Sequence, residues 1–507
     1  MLKGYPSHSV KKNIILSAMF LAGMSAWAEK PNILLIMVDD LNTSVGCYDG
    51  PAITPNIDSL AGSGIKFSNA YAACPSCNPS RVAMMVGQRP ENSGVFNNTQ
   101  HFRETAPAMD LTTLPQVLMA NGYNTIAAGK IFHNRSGSRA EVNPLSDPQS
   151  WTYQPGINAG KSFGHDFKNR FHQPNGLPKW VLNTRVDVDP KDKKKLKSTW
   201  VWGPLEDDIA PEDTLDWKVA KWGADWLNKD MSDPMVQASP SPDEKPWLLA
   251  CGIFRPHIPL ICPKEFFDLY TTDEHKHRLE LPDIPSNDID DLPAASGTGK
   301  DWFVKYVKPW PEEWKALRHA YYACTTYADA AVGILLDGLE KSGYADNTIV
   351  ILMGDHGYHL GEKDRLGKSK VWRGASSMPM IIRMPNGKIG TAEAAVSMLD
   401  LYPTIMELLA LKAPQQLDGT SLVPLLTAPD TPREAPAVIT DTSGKQIGVV
   451  LDQWHYISYS DGSEELYDHS IDQAEIINLM HPDNYLEKYR VEADRLKQFI
   501  PSNRAGM

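Results

Sequence analysis

The chain has 507 residues, 42% hydrophobic and 22% charged, which excludes a disordered tail, a collagen and a disulfide miniprotein. Its length allows two or three domains, or one large domain with an appendage, and an ample core. A net charge of −12 argues against a general nucleic-acid binder, but a local positive site for a small anion is compatible with it.

Residues 1–28 read as a secretory signal peptide. Lys11 and Lys12 form a basic start, residues 13–24 are mostly apolar, and Ala26-Trp27-Ala28 is a small-x-small cleavage site before Glu29. The apolar run is shorter than the roughly 20 residues of a membrane span, and no later stretch is long and apolar enough. The expectation is an exported, soluble protein without a membrane span, periplasmic or secreted.

Residues 31–38 are a short apolar run ending at Asp39-Asp40. Residues 247–254 form another, followed by Arg255-Pro256-His257, and residues 348–353 a third, followed by Gly354-Asp355-His356-Gly357. Runs of this length and β-branching predict strands buried on both faces of a parallel sheet. Each stops at Asp or His, and ligands of open α/β sheets sit beyond the carboxyl ends of strands. Residues 114–121 and 321–342 carry apolar side chains at helical spacing, with Gly343 as a stop. The alternation favours α/β. Residues 140–245, rich in Pro, Trp, Asp and Lys, predict a long excursion of loops over the active edge.

Residues 427–437 read as a linker. Strands are expected at 437–440, 446–451 and 454–458, and a closing helix at 485–499. The predicted organisation is therefore a leader at 1–28, a catalytic domain at 29–430 and a small α+β subdomain at 431–507 with an antiparallel sheet. Among six cysteines no second C-x-x-C pair accompanies Cys74-Pro75-Ser76-Cys77, so a zinc ribbon is excluded.

The sharpest signal is Cys77-Asn78-Pro79-Ser80-Arg81. Pro79 suits a first helical turn, which would place Cys77 at a helix N-terminus where backbone N–H groups favour an anion. This resembles the Cys-x-Pro-Ser-Arg signature of the type I sulfatases, in which the cysteine is oxidised to formylglycine by a maturation enzyme. The family's usual Leu-Thr-Gly-Arg continuation is replaced here by Met85-Val86-Gly87-Gln88-Arg89. Asp39-Asp40 and Asp355-His356 resemble the family's metal ligands, and Lys130-Ile131-Phe132-His133 its Lys-x-x-His segment. His257 resembles its central histidine, Lys368 its last lysine, and the segment starting Thr54-Pro55 one of its helix starts. Phe254-Arg255-Pro256-His257-Ile258-Pro259 and the run from Asp355 to Glu362 are similar to the iduronate-2-sulfatase-like branch, which also resembles exported bacterial polysaccharide sulfatases.

The resemblance implies an alkaline-phosphatase-like sulfatase fold, a large mixed sheet flanked by helices with a smaller C-terminal α+β domain. It implies hydrolysis of sulfate esters on a carbohydrate, acting at chain ends. Asp39, Asp40, Asp355, His356 and modified residue 77 would hold Ca²⁺, with Mg²⁺ the alternative. Residue 77 would be the nucleophile and His133 a base. Lys130 would bond the modified residue and sulfate, and His257 and Lys368 would sit on the leaving-oxygen side. Arg81 is expected to aim its guanidinium at sulfate oxygens. His101, Trp372 and Arg373 fall where pocket walls are expected. Lys191, Lys193, Lys194, Lys195 and Lys197 are candidates for a polyanion contact, and Trp180, Trp200 and Trp202 for sugar stacking. The competing reading is a phosphonate or phosphate ester hydrolase of the same superfamily. A thiol oxidoreductase using Cys74 and Cys77 lacks any supporting pattern elsewhere.

Overall fold

The computed structural model describes residues 29–133, 146–158, 202–285, 288–298, 301, 303–304 and 307–503. The expected leader, Trp180, Trp200 and the lysines from Lys191 to Lys197 lie outside the described residues.

The central sheet is built from β1 (Asn32–Val38), β2 (Ile65–Phe67), β3 (Asn124–Gly129), β4 (Trp247–Ile253), β5 (Thr348–Gly354), β6 (Met380–Arg383) and β7 (Gly390–Ala392). Their spatial order is β7-β2-β6-β5-β1-β4-β3. The neighbours β3, β4, β1 and β5 run parallel, and β6 is antiparallel to β5 and β2. Successive side chains of a strand face opposite sides. Ile33, Leu35 and Met37 therefore enter one core, and Leu34, Ile36 and Val38 enter the other. Both cores are apolar, which explains why the run shows no alternation of polar residues.

Helices cover both faces. On the first lie α1 (Cys77–Val86) and α2 (Leu114–Ala120). On the second lie α3 (Leu215–Leu227) and α4 (Pro311–Ser342). Returning to the first face, α5 (Leu401–Leu408) completes its cover. A further short helix, Pro55–Ala61, follows Thr54. The left-handed Gly343 ends α4, as expected.

Helix α3 corrects the expectation of loops throughout residues 140–245. Val219, Trp222, Gly223 and Trp226 recur at helical spacing and all are buried, but the flanking Lys, Asp and Pro residues mask that period. Trp202 is 2% exposed in a short strand, Trp202–Pro204, paired with Leu260–Cys262. It is core and offers no face to a sugar.

Towards the C-terminus β8 (Ala437–Thr440), β9 (Gln446–Leu451), β10 (Trp454–Tyr459) and β11 (Glu464–Asp468) form an antiparallel meander. One face packs on α6 (Glu487–Lys497) through Val449, Leu466, Ala493 and Leu496. The other shares a core with Tyr71, Val371 and Trp372. Strand β11 was not expected, because Glu464, Glu465 and Asp468 hide Leu466 and Tyr467 within a charged segment.

Candidate active site

Four adjacent parallel strands end at one edge of the central sheet. Asp39 and Asp40 follow β1, Lys130 follows β3, His257 lies just beyond β4, and Asp355 and His356 follow β5. The close approach of β3 and β4 requires glycine. Gly129 has φ +78°, and a Cβ there would meet the Gly252 carbonyl oxygen at 2.0 Å. That contact sets the backbone from which Lys130 departs.

Cys77 stands in the first turn of α1 and is wholly buried. The helix is capped from outside. The Asn98 carboxamide oxygen accepts from the Asn78 N–H at 2.9 Å and from Ser76 Oγ at 3.0 Å, supplying the acceptor a helix N-terminus needs. The Asn78 side chain donates to the Asn97 and Gln100 carbonyls at 2.9 and 2.7 Å. Cys77 Sγ lies 2.9 Å from Lys368 Nζ, 3.5 Å from His356 Nε2 and 3.9 Å from Asp40 Oδ1. His133 and His257 also lie beside the sulfur. Burial alone raises a thiol, but Lys130 and Lys368 outweigh it, and the Cys77 thiol is held well below its ordinary value. Burial and Lys130 push His133 down to about 4, so its imidazole is neutral near pH 7.

Asp40 adopts a left-handed conformation, φ +60°, uncommon for a residue with a Cβ. Its N–H donates to Asp355 Oδ1 at 3.0 Å, and the buried Tyr321 hydroxyl donates to its carbonyl at 2.7 Å. Asp40 Oδ2 is buried without a hydrogen-bond partner among the described residues. His356 Nδ1 donates to the Gly357 carbonyl at 2.8 Å, which turns Nε2 towards Asp40 and Asp355 at 3.4 and 3.5 Å. Burial pushes the Asp355 carboxyl up to about 6 despite Arg81 and His356. Ligand atoms of Asp39, Cys77, Asp355 and His356 lie within 4.8 Å of one another, as do those of Asp39, Asp40, Cys77 and His257. Three converging carboxylates, one with an orphaned buried oxygen, fit a hard divalent cation.

Arg81 departs from expectation. Its Nε donates to Asp355 Oδ2 at 2.8 Å and its Nη2 to Asp39 Oδ1 at 3.1 Å, while Nη1 donates to the Lys130 and Ile131 carbonyls. The guanidinium is fully buried and spent on holding ligands and backbone, so it does not aim at sulfate oxygens. Lys130 contacts Asp39 Oδ2, and Lys368 contacts Asp40 Oδ1 as well as the thiol. Two lysines, rather than three cations, therefore face the sulfur.

Trp372 does not line a pocket. It is 1% exposed and donates to Glu465 Oε2 at 2.8 Å. Arg373 is bound to Asn69 Oδ1 and the Tyr71 hydroxyl at 3.0 and 2.8 Å, beside the C-terminal sheet. His101 follows the loop that caps α1, stacked on Phe102 with its Nδ1 unpartnered among the described residues. Cys74 is buried, and burial with Asp441 and Glu91 nearby raises its thiol well above its ordinary value, so it is not poised for thiol exchange. Asn98 and Tyr321 were missed by sequence reasoning, being remote in sequence and free of any motif.

The sulfatase family model matches residues 31–411, and that of the N-sulphoglucosamine sulphohydrolase C-terminal region matches residues 361–501. The chain belongs to the sulfatase family. It is 31% identical over 489 residues to a sulfatase of Formosa agariphila, covering 94% of this chain and 87% of that one. It is 30% identical over 406 residues to the iduronate 2-sulfatase of Homo sapiens, covering 78% of this chain and 67% of that one. Among solved structures, the phosphonate monoester hydrolase of Agrobacterium radiobacter superposes with a TM-score of 0.67 at 20% identity, covering 92% of this chain and 95% of that one. This sulfatase has the expected alkaline-phosphatase-like fold and is a sulfuric ester hydrolase.

Proposed function

We propose that this sulfatase removes sulfate esters from a sulfated carbohydrate, acting at chain ends, with residue 77 matured from cysteine to formylglycine and calcium bound at the carboxylate cluster. Magnesium is the alternative ion. The observation that carries the reading is the setting of Cys77, buried at a helix N-terminus in Cys-x-Pro-Ser-Arg with Lys368 Nζ at 2.9 Å and Asp40 Oδ1 at 3.9 Å. The kinship with an iduronate 2-sulfatase supports a sugar as substrate.

Formylglycine, once formed and hydrated, supplies two hydroxyls that divide sulfate transfer into two easier steps. Asp39, Asp40, Asp355 and His356 would hold the cation, which would supply charge neutralisation of sulfate oxygens and polarisation of a hydroxyl. Arg81 fixes Asp39 and Asp355 in place for it. Lys130 and Lys368 supply positive charge in a water-poor site, where it counts most. Neutral His133, touching residue 77, is placed to take a proton from it. His257 and Lys368 are placed to donate one to the leaving oxygen. Their side chains are 17% and 18% exposed, against 0% for Asp39, Asp40, Arg81 and His356. The sugar therefore approaches from the side of His257 and Lys368.

The experiment is release of inorganic sulfate from end-labelled sulfated oligosaccharides, with enzyme co-produced with a formylglycine-generating partner. Loss of sulfate from terminal units first supports the reading, and steady desulfation of internal units overturns the chain-end part of it. A phosphonate monoester is the control for the second reading, favoured by the shared fold. A higher kcat/KM on the phosphonate than on every sulfate ester would replace the first reading by the second. We also propose export through the leader at 1–28, which N-terminal sequencing of the mature protein checks directly. No helix among the described residues is long and apolar enough to cross a membrane.

A further inference from the structure

His257 does not sit on a regular element. It belongs to the loop between β4 and the strand Leu260–Cys262. Two buried ionic side chains hold that loop. Asp216, in the first turn of α3 and 4% exposed, accepts the Phe254 N–H on Oδ1 at 2.7 Å and the Arg255 N–H on Oδ2 at 2.9 Å. Arg255, 7% exposed, donates from Nε to the Ile261 carbonyl at 2.6 Å and from Nη1 to the His257 carbonyl at 3.1 Å. One carboxylate thus bridges two consecutive N–H groups where the chain leaves β4, and one guanidinium ties the two arms of the loop together.

The imidazole is oriented by this frame. The His257 N–H donates to the Phe254 carbonyl at 2.9 Å, and the rings of Phe254 and His257 lie 4.7 Å apart. His257 Nδ1 donates to the Ile258 carbonyl at 2.7 Å, leaving Nε2 facing the centre, 3.9 Å from Asp40 Oδ2. Residues 254 and 258 thus hold the ring through the Phe254 side chain and two backbone carbonyls, and Asp216 accepts the first two N–H groups of that segment. Through those two N–H groups the influence of Asp216 passes along the loop.

We propose that Asp216 is a positioning residue for His257, its carboxylate fixing the loop that presents Nε2 to the leaving oxygen. This rests on the reading above that His257, beside Lys368, is placed to donate a proton to the leaving oxygen. A small displacement of a general acid costs about 10- to 100-fold in rate, and charge-assisted bonds to two N–H groups are strong enough to set such a position. The helix that carries Asp216 also packs on the sheet through Trp222 and Trp226, so the anchor is rigid.

The test uses the matured full-length enzyme with aryl sulfates whose parent phenols range from nitrophenol to unsubstituted phenol. A poor leaving group needs protonation and a good one does not. The isosteric Asp216→Asn keeps volume and weakens the acceptor, and Asp216→Glu is the rescue variant. Asp216→Asn should leave the nitrophenyl sulfate rate near wild type, lower the phenyl sulfate rate about 10- to 100-fold, and flatten the basic limb of the pH–rate profile. His257→Gln should show the same pattern, and the double variant should be no slower than His257→Gln alone. Equal slowing on all aryl sulfates, or additive losses in the double variant while His257→Gln alone shows the leaving-group dependence, would overturn the positioning role only. A His257→Gln enzyme with wild-type rates on every ester would overturn the assignment of His257, and the inference with it. Thermal unfolding of Asp216→Asn near that of wild type keeps the comparison free of misfolding.

Discussion

Two groups of buried carboxylates, one in the C-terminal sheet region and one at the edge of the central sheet, differ in how their oxygens are satisfied. In the C-terminal sheet, Glu465 accepts from Tyr459, Tyr467 and Trp372. Glu475 accepts from His455 and His469 on one oxygen, at 2.5 and 2.9 Å, and from the Arg373 N–H on the other at 2.8 Å. At the edge of the central sheet Asp40 has one oxygen unpartnered among the described residues and a second carboxylate, Asp355, whose oxygen faces its own N–H. Equal burial therefore serves opposite ends. A carboxylate whose every oxygen is bonded holds the fold together, whereas one left short of partners is kept for a ligand.

The contrast predicts separable losses. Cys77→Ala removes the nucleophile and should cost about 10⁴-fold or more in kcat/KM, with little change in thermal unfolding. If calcium is the ion, adding it should raise the unfolding temperature of the wild type, and Asp40→Asn should abolish that rise and lower kcat by about 10³-fold. A calcium-dependent shift that survives in Asp40→Asn would break the comparison at its active-site end. Lys368→Ala removes one preorganised cation and should cost about 10²-fold, read on kcat/KM for a sulfate ester.

On the structural side the signs reverse. Glu475→Gln leaves buried histidines without their charged acceptor and should lower stability by about 3 kcal/mol, while kcat of the folded enzyme changes less than about twofold. His455 and His469 outweigh burial and hold the Glu475 carboxyl well below its ordinary 4.5. A carboxyl depressed in the folded state stabilises above its unfolded pKa, and that contribution is lost as pH falls through the folded value. The stability gap between wild type and Glu475→Gln should be full above pH 4.5 and shrink below it, as urea unfolding at several pH values will read. The smallest effect is expected from Trp372→Phe, which loses one hydrogen bond to Glu465 and about 1 kcal/mol, with KM unchanged. A raised KM would return Trp372 to the pocket wall.

Much of the reactive edge was legible because its residues follow directly on strand ends. Asp39-Asp40 and Asp355-His356 each adjoin a strand, and β1, β4 and β5 are continuous apolar runs because both faces are covered, whereas the strand before Lys130 was not expected and that lysine was found through the resemblance of Lys130-Ile131-Phe132-His133 alone. What escaped depends on contacts remote in sequence. Arg81 carries a motif, but only the fold reveals that Asp39, Asp355 and two carbonyls consume its donors. Helix α3 was hidden because charged residues share its turns with Val219, Trp222 and Trp226. Trp372 and Arg373 stand near the last lysine in the chain, yet the C-terminal sheet turns them inward. Asn98, Tyr321 and Asp216 each act through two hydrogen bonds, mostly to backbone, which leave no pattern in the residues around them.

The most direct test of the central claim is peptide mass spectrometry across Cys77 in protein produced with a formylglycine-generating enzyme. The account predicts an aldehyde in place of the thiol at residue 77, with Cys74 still a thiol in the same peptide. A thiol at both positions, in a host that matures other sulfatases, would contradict the assignment of residue 77 as the modified nucleophile.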